Sequence, residues 1–476
     1  VPAGALLFAA VLAFLLSLVL VQLSLPLALG GGVILAFLIV AVASNELALH
    51  LLIFSMLLGP EVIVGELGKG SVLGRGLTFR LDDILITIVG VAWLAKTAFH
   101  KELGLFVKTP LNRPIAAYAL ATVFATGLGM LAGRVRVLAG LLFALKYIQY
   151  FVVYFMIVNN LRTRRQFERF LLAILTTAAI VSVIGILQIP SGIRVSAPFE
   201  GESPEPNTFG GYLVLMLALV GGLSLTAESL RRKLLLVMLA GLILLPLLFT
   251  LSRASYLALI PLAGALFVWS DRKRLLASLF ALGLALGPLV IPQTVIDRIR
   301  FTISEPAQTE QVRIGRLRLD ASTSQRVHAW KESIFDDWPK QPLFGYGVTG
   351  YHFLDAQYPR TLMETGAVGL LAFLWLQLSL FRRLLPILKG TRDPLFRGVA
   401  LGFLAGYIGL ITHALGTNSF VIVRIMEPFW FLAGMVMLIP ELEAAAGRDA
   451  EKASSPMPGP GADAKGEILL RRRRAG

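Results

Sequence analysis

TFGGYLVLMLALVGGLSLT, residues 208–226, has no charged side chain along its length. A helix of about 20 apolar residues crosses a hydrocarbon core of about 30 Å, and within that core its backbone polar groups must bond internally. The stretch therefore reads as a membrane-spanning helix. Comparable runs lie near 4–23, 27–43, 115–132, 137–158, 168–189, 234–251, 254–270, 275–292, 361–381, 396–413 and 420–440, with shorter or charge-edged ones at 47–60 and 81–99. The chain is 56% hydrophobic and 15% charged, with mean hydropathy +0.76. That leaves too little polar surface to cover a soluble body of 476 residues. The expected fold is an all-α polytopic membrane bundle of about 12–14 transmembrane helices over 1–440, with one large external loop, 293–360, between late helices. The first run is too long, and lacks the basic leader, for a removable signal peptide. With no cysteine there is no disulfide framework or thiol chemistry.

Orientation follows from alternate loops. Lys96, Lys101, Lys108 and Arg113, then Arg162, Arg164, Arg165 and Arg169, then Arg231, Arg232 and Lys233, then Arg272, Lys273 and Arg274, then Arg382, Arg383, Lys389, Arg392 and Arg397 fall on one side. By the positive-inside rule that side is cytoplasmic, and long loops such as 293–360 do not vote. Residues 61–80, 190–207, 252–253, 293–360 and 414–419 then face outside. The net charge of +15 reflects this topology and contact with anionic membrane lipids, and calls for no nucleic-acid partner. From 441 the composition shifts to Ala, Gly, Pro, Ser and charge, ending in Arg471-Arg472-Arg473-Arg474. It reads as a disordered basic cytoplasmic tail.

The outward loops hold the candidate chemistry. Arg194 precedes Pro204-Glu205-Pro206-Asn207, and Arg253 is the lone charge in Leu251-Ser252-Arg253-Ala254-Ser255. A cation there costs roughly 2.5–3.5 kcal/mol at mid-membrane and less at the interface, so a compensating partner is expected. A snorkelling Arg in a tight turn is the bland reading; a phosphate clamp is the functional one, because the guanidinium fork matches phosphate oxygens and stays charged. In 293–360 an irregular basic section extends to about 320. A short helix follows over 325–335, with Ser324 as N-cap and Val327, Trp330 and Ile334 on one apolar face, lying on the membrane domain like a lid. Arg326 sits near its start. Gly345, Gly347 and Gly350 then allow a tight backbone passage; as a phosphate fingerprint the pattern is weak, since no strand precedes it.

Inside the spans, Lys146, Glu364, Arg424 and Glu427 are ionisable. Arg424 and Glu427, three apart on one helix, are expected to neutralise each other. His50 and His413 lack ligand-spaced partners and read as satisfied packing residues. Asp82-Asp83 fits either a cation site or a solvated helix start. No metal cluster is evident by spacing.

In order, these features are an Arg before Pro-Asn and a span, a Ser-Arg opening another span, Arg326-Val327-His328-Ala329-Trp330, the Gly345–Gly350 pattern, and a polar residue ahead of Leu362-Met363-Glu364-Thr365-Gly366. With Arg80-Leu81-Asp82-Asp83 and Asn112-Arg113-Pro114 they span roughly 80–440. The chain resembles the O-antigen ligase and polymerase superfamily. That resemblance implies a metal-independent, cofactor-free membrane glycosyltransferase of the bacterial cytoplasmic membrane. Such an enzyme moves glycan from an undecaprenyl-diphosphate-linked oligosaccharide donor to a sugar hydroxyl on a glycan or lipid-linked acceptor, outside the membrane and with inversion. It assigns diphosphate binding to Arg194, Arg253 and Arg326, support to Asn207, Trp330, Gly347 and Glu364, and the base to Asp355. Ligases that load a lipid A-core acceptor usually have His then Asn where this chain has Asp355-Ala356. An Asp there looks like the polymerase branch, although many polymerases keep the Asn.

The residues fit this chemistry on other grounds. A departing diphosphate needs fixed positive charge, and the activated donor already holds the energy. Asp, with a reference pKa near 3.9, needs partial burial to serve as base, whereas His352, with a reference near 6.5, is the rival and would share a face with Asp355 in a helix. The competing class is a polysaccharide transporter or flippase. Such a protein gathers its polar residues at mid-bilayer on broken helices, and no internal repeat of the transporter kind is visible here.

Overall fold

The computed structural model describes residues 39–40, 44–64, 77–80, 82–90, 108–200, 205–290, 292–304, 312–314, 317–318 and 320–454. The expected spans 4–23 and 27–43, the second half of 81–99 and the arginine run 471–474 lie outside or almost wholly outside these residues. The protein is an all-α polytopic bundle. Its helices are α1 (Asn45–Leu58), α2 (Asn112–Leu131), α3 (Val137–Asn160), α4 (Arg164–Gln188), α5 (Pro206–Thr226), α6 (Leu230–Phe249), α7 (Arg253–Trp269), α8 (Lys273–Val290), α9 (Gln293–Ser304), α10 (Ala321–Lys331), α11 (Gln357–Gly390), α12 (Pro394–His413), α13 (Val423–Met437) and α14 (Ile439–Ser454), with a further helical stretch at 82–90. Two short antiparallel hairpins accompany them, β1 (Glu61–Val64) with β2 (Leu77–Arg80) and β3 (Arg313–Ile314) with β4 (Leu317–Arg318). Among the described residues eight helices are long and apolar enough to cross a membrane, and α1 and α7 are shorter apolar helices.

The segment 208–226 forms the centre. α5 is buried on nearly every side, as a helix apolar all round must be. Its close partner is α12, and glycine sets their separation: a Cβ on Gly222 would stand 2.4 Å from Gly398 O, and one on Gly402 2.6 Å from Leu219 Cα. Between lipid-facing helices attraction comes mainly from such close van der Waals packing. α13 is equally buried, whereas α6 leaves Leu234, Val237 and Met238 exposed at the periphery.

The loops collect at two ends. At one, Asn45 meets Asn160 (2.6 Å), Glu46 meets Arg169 (2.8 Å), Asp271 meets Arg397 (2.6 Å) and Arg164 meets Asp393. At the other lie the turn 250–252, the loop after α4, the segment 320–356 and the loop after α12, joined by the contacts described below. The two groups are those separated by charge counting.

Several local expectations are corrected. The section before 320 is not wholly irregular: Gln293–Ser304 is helical and β3–β4 follows. Helix α10 begins at Ala321 with Asp320 as N-cap, not Ser324; the Ser324 hydroxyl instead accepts from Val312 N at 3.0 Å. It ends at Lys331 in a π-helical turn, Glu332–Asp337, and a 3-10 turn, Trp338–Lys340. The tail expected to be disordered from 441 is helical to Ser454, because its Ala-rich sequence favours helix and Glu443 accepts from the backbone of Arg392 and Asp393 at 3.1 and 2.9 Å. Residues 455–476 lie outside the described set. Arg424 and Glu427 do not neutralise each other. Arg424 donates to Leu57 O (3.0 Å), Pro198 O (2.9 Å) and Phe199 O (3.3 Å), carbonyls at chain turns that have no helical donor, while Glu427 accepts from Gln149.

Candidate functional site

Arg194 stands in the loop after α4, where Val195 N bonds Phe249 O at 3.0 Å and ties the loop to the end of α6. Its Nε donates to Thr250 O (2.9 Å), and its Nη2 reaches Leu251 O (3.4 Å) and Asn207 Oδ1 (3.5 Å). The carbonyl acceptors are available because the α6–α7 turn bends sharply, with Leu251 at φ +49. Ser252 then caps α7, accepting from Ser255 N, and sets Arg253 at the first helical position.

Arg253 pairs with Asp320 and donates to Thr323 Oγ1 at 3.0 Å, and Thr323 in turn donates to Asp320 Oδ1 at 2.5 Å. This is the compensation that a lone cation in the turn required. It also docks the start of α10 onto α7. Burial works to raise the Asp320 carboxyl, but the Arg253 and Thr323 hydrogen bonds outweigh it and hold the group below its ordinary range. One turn into α10, Arg326 Nη2 lies 2.6 Å from Asp355 Oδ2, both side chains about one-third exposed. Asp355 Oδ1 has no hydrogen-bond partner among the described residues.

Arg298 of α9 was missed in the sequence. Burial, then the Arg253 charge, and further on Arg326, lower its value; Arg194 is lowered by burial, then Arg298, Arg253 and Arg326. Four guanidiniums from four separate segments therefore share one electrostatic field, against the two carboxylates Asp320 and Asp355. Arginine stays protonated under such repulsion, so the cluster is a standing positive potential. The signal for Arg298 in the sequence is its place in Val295-Ile296-Asp297-Arg298, an amphipathic stretch that folds as helix.

Asp355 is held from behind. Asn418 Nδ2 donates to Leu354 O (2.8 Å), Gln357 N to Ala414 O (3.1 Å) and Phe420 N to Gln357 Oε1 (2.9 Å). Residues 352–355 are not helical, so His352 does not share a helix face with Asp355. Its exposed ring stacks on Tyr351, centroids 4.0 Å apart.

The other supporting residues are Trp330, one turn beyond Arg326 on the same helix, and Gly347 and Glu364 in a second set of contacts. Trp330 is half-buried on α10. Gly345 and Gly347, at φ +67 and +88, are parts of a splice. α11 breaks at Gly366 (φ +65), and the strand of chain beside it supplies the missing partners: Tyr346 N to Met363 O (2.8 Å), Gly347 N to Glu364 O (2.9 Å), Ala367 N to Pro342 O (2.9 Å) and Val368 N to Leu343 O (3.1 Å). The glycine pattern thus serves backbone packing, not phosphate. The Glu364 side chain is buried with Arg360 Nε (3.0 Å) and Tyr147 OH (3.0 Å). His413 is satisfied by Ser255 Oγ (3.2 Å) and Ser419 Oγ (2.7 Å), and His50 by Glu46 O (2.7 Å), as packing residues should be.

Comparison with protein-family models and with curated proteins finds no match to this chain. On its own geometry, the site can hold a multiply charged anion such as a phosphate or diphosphate beside a carboxylate with one open oxygen.

Proposed function

We propose that this multi-pass membrane protein is a glycosyltransferase of the O-antigen ligase/polymerase type, joining undecaprenyl-diphosphate-linked glycan to a sugar hydroxyl, with the polymerase reaction favoured. The observation supporting it is the convergence of Arg194, Arg253, Arg298 and Arg326 beside Asp355 at one end of the bundle. In this reading the acceptor hydroxyl attacks the anomeric carbon opposite the leaving group. The bond from that carbon to the diphosphate oxygen breaks, and the lipid diphosphate departs with its added charge held by the guanidiniums. Asp355 Oδ1 takes the hydroxyl proton while Arg326 holds Oδ2. The arginine-bearing end is external and the bundle lies in a bacterial cytoplasmic membrane.

The test is the purified chain incubated with a lipid-diphosphate oligosaccharide. A ladder of products supports a polymerase, a single transfer to a lipid A-core acceptor a ligase, and no transfer of any kind with correctly folded protein refutes the proposal.

A further inference from the structure

Within the bundle, a second group of charges is separate from the arginine cluster. Arg80, Asp82 and Asp83 come from the end of β2 and the start of the 82–90 helix, Lys146 and Gln149 from α3, and Glu427 from α13. Asp83 is well satisfied: it accepts from Arg80 N (3.0 Å) and Gln149 Nε2 (2.8 Å) and lies 3.3 Å from Lys146 Nζ. Gln149 Nε2 also donates to Glu427 Oε1 at 3.1 Å.

Asp82 and Glu427 are not satisfied in this way. Both are fully buried, at 0% exposure. They face each other within side-chain hydrogen-bonding reach. Yet neither Asp82 oxygen, nor Glu427 Oε2, receives a hydrogen bond among the described residues. Arg80 Nη2 lies 3.1 Å from Asp82 Oδ2 but donates to Met56 O at 2.7 Å. As two carboxylates the pair presents acceptor to acceptor, so neither can satisfy the other. Three carboxylates meet two cations here, and Arg424, on the same helix as Glu427, is turned to the carbonyls of Leu57, Pro198 and Phe199 and lies 4.0 Å from Glu200. A buried carboxylate without a donor is strongly disfavoured, and two that face each other cannot both ionise comfortably.

We infer that Asp82 and Glu427 bind one proton between them, forming an intramembrane proton site that links the 82–90 helix to α13. The proton is the missing donor: on either group it turns the acceptor–acceptor contact into a hydrogen bond and brings the charges into balance. α13 also holds Arg424, which fixes Pro198 and Phe199 in the loop that carries Arg194, so the proton site and that loop are joined by one rigid element. The inference does not rest on the transferase reading.

Infrared spectroscopy of the full-length protein in lipid nanodiscs tests it. At neutral pH the wild type should show the C=O stretch of an un-ionised carboxylic acid that shifts in D2O, and Asp82→Asn and Glu427→Gln should each abolish it. Both amides supply the donor that the proton supplies, so both variants should fold, with thermal midpoints equal to or above that of the wild type. Absence of the band in the wild type, its persistence in both variants, or failure of both variants to fold overturns the proposal. Loss in only one variant assigns the proton to a single residue and removes the sharing. A wild-type midpoint raised by sodium over choline, with no carboxylic acid band, makes the ligand a metal cation instead.

Discussion

The ion pair between Arg326 and Asp355 gives the catalytic proposal its sharpest test at the level of single side chains. Under that proposal, Asp355→Asn should lower turnover by about 10²–10⁴-fold, the range of a lost general base, with donor binding retained. Arg326→Ala should cost about 10²–10³-fold, as removal of one charge-stabilising donor does, and Lys should rescue poorly because it lacks the planar fork. His352→Gln should remain close to wild type, since its ring lies exposed on Tyr351. Turnover and donor binding measured together decide, and an active Asp355→Asn beside an inactive His352→Gln reverses the assignment. A second prediction concerns Asp320, whose carboxyl is held below its ordinary range in the folded protein. A depressed carboxylate contributes stability above its unfolded value, near pH 4, and loses it as pH falls through the folded one. Asp320→Asn should therefore cost about 1.5–3 kcal/mol at pH 7. The difference from wild type should vanish in acid, as read by tryptophan fluorescence during thermal unfolding; a difference that persists unchanged at low pH excludes the charge pair as its source.

At the level of the element, the break in α11 and the splice beside it close the loop of chain that carries Asp355. Gly366 has φ +65, and a Cβ there would meet Leu343 O at 2.3 Å, so a side chain is both strained and blocked by backbone. Gly366→Ala should cost about 1–3 kcal/mol for the backbone conformation alone, with the clash added. Gly390→Ala, at the far end of the same helix and with open space around it, should be tolerated. Detergent-extracted yield and thermal midpoint compare the two, and equal behaviour would mean that the splice between 342–347 and α11 contributes nothing. The same splice explains why the Gly345–Gly350 pattern misleads when read for phosphate: the amides of Tyr346 and Gly347 are committed to the carbonyls of Met363 and Glu364, and those of Gly345 and Gly350 to Gln341 and Gly347.

For the whole molecule, the two loop sets gather at opposite ends of the bundle, and charge counting predicts which end is external. Because the chain is free of cysteine, single cysteines report cleanly. Phe335→Cys and Leu343→Cys, exposed at the arginine-bearing end, should react with an impermeant maleimide in intact cells. Asp271→Cys, at the other end, should react only after permeabilisation. The reverse pattern inverts the orientation and removes the proposed access to an external acceptor.

Sequence alone determined the membrane class, the approximate bounds of the described spans, the division of loops into two sets, and three of the four clustered arginines. Hydrophobic length and the distribution of cations are local quantities, and the bilayer imposes them segment by segment. The tertiary structure alone decided the partners. Arg253 meets Asp320 across the 66 intervening positions 254–319, and Asp82 meets Glu427 from the other end of the sequence; only packing brings such groups into reach. Arg424 and Glu427 show the converse, since helical spacing offered a local pair and the surrounding carbonyls and Gln149 drew the two side chains apart. Arg298 joined the cluster because the fold brings α9 within electrostatic reach of Arg194 and Arg253, an arrangement that no periodicity within its own twelve residues encodes.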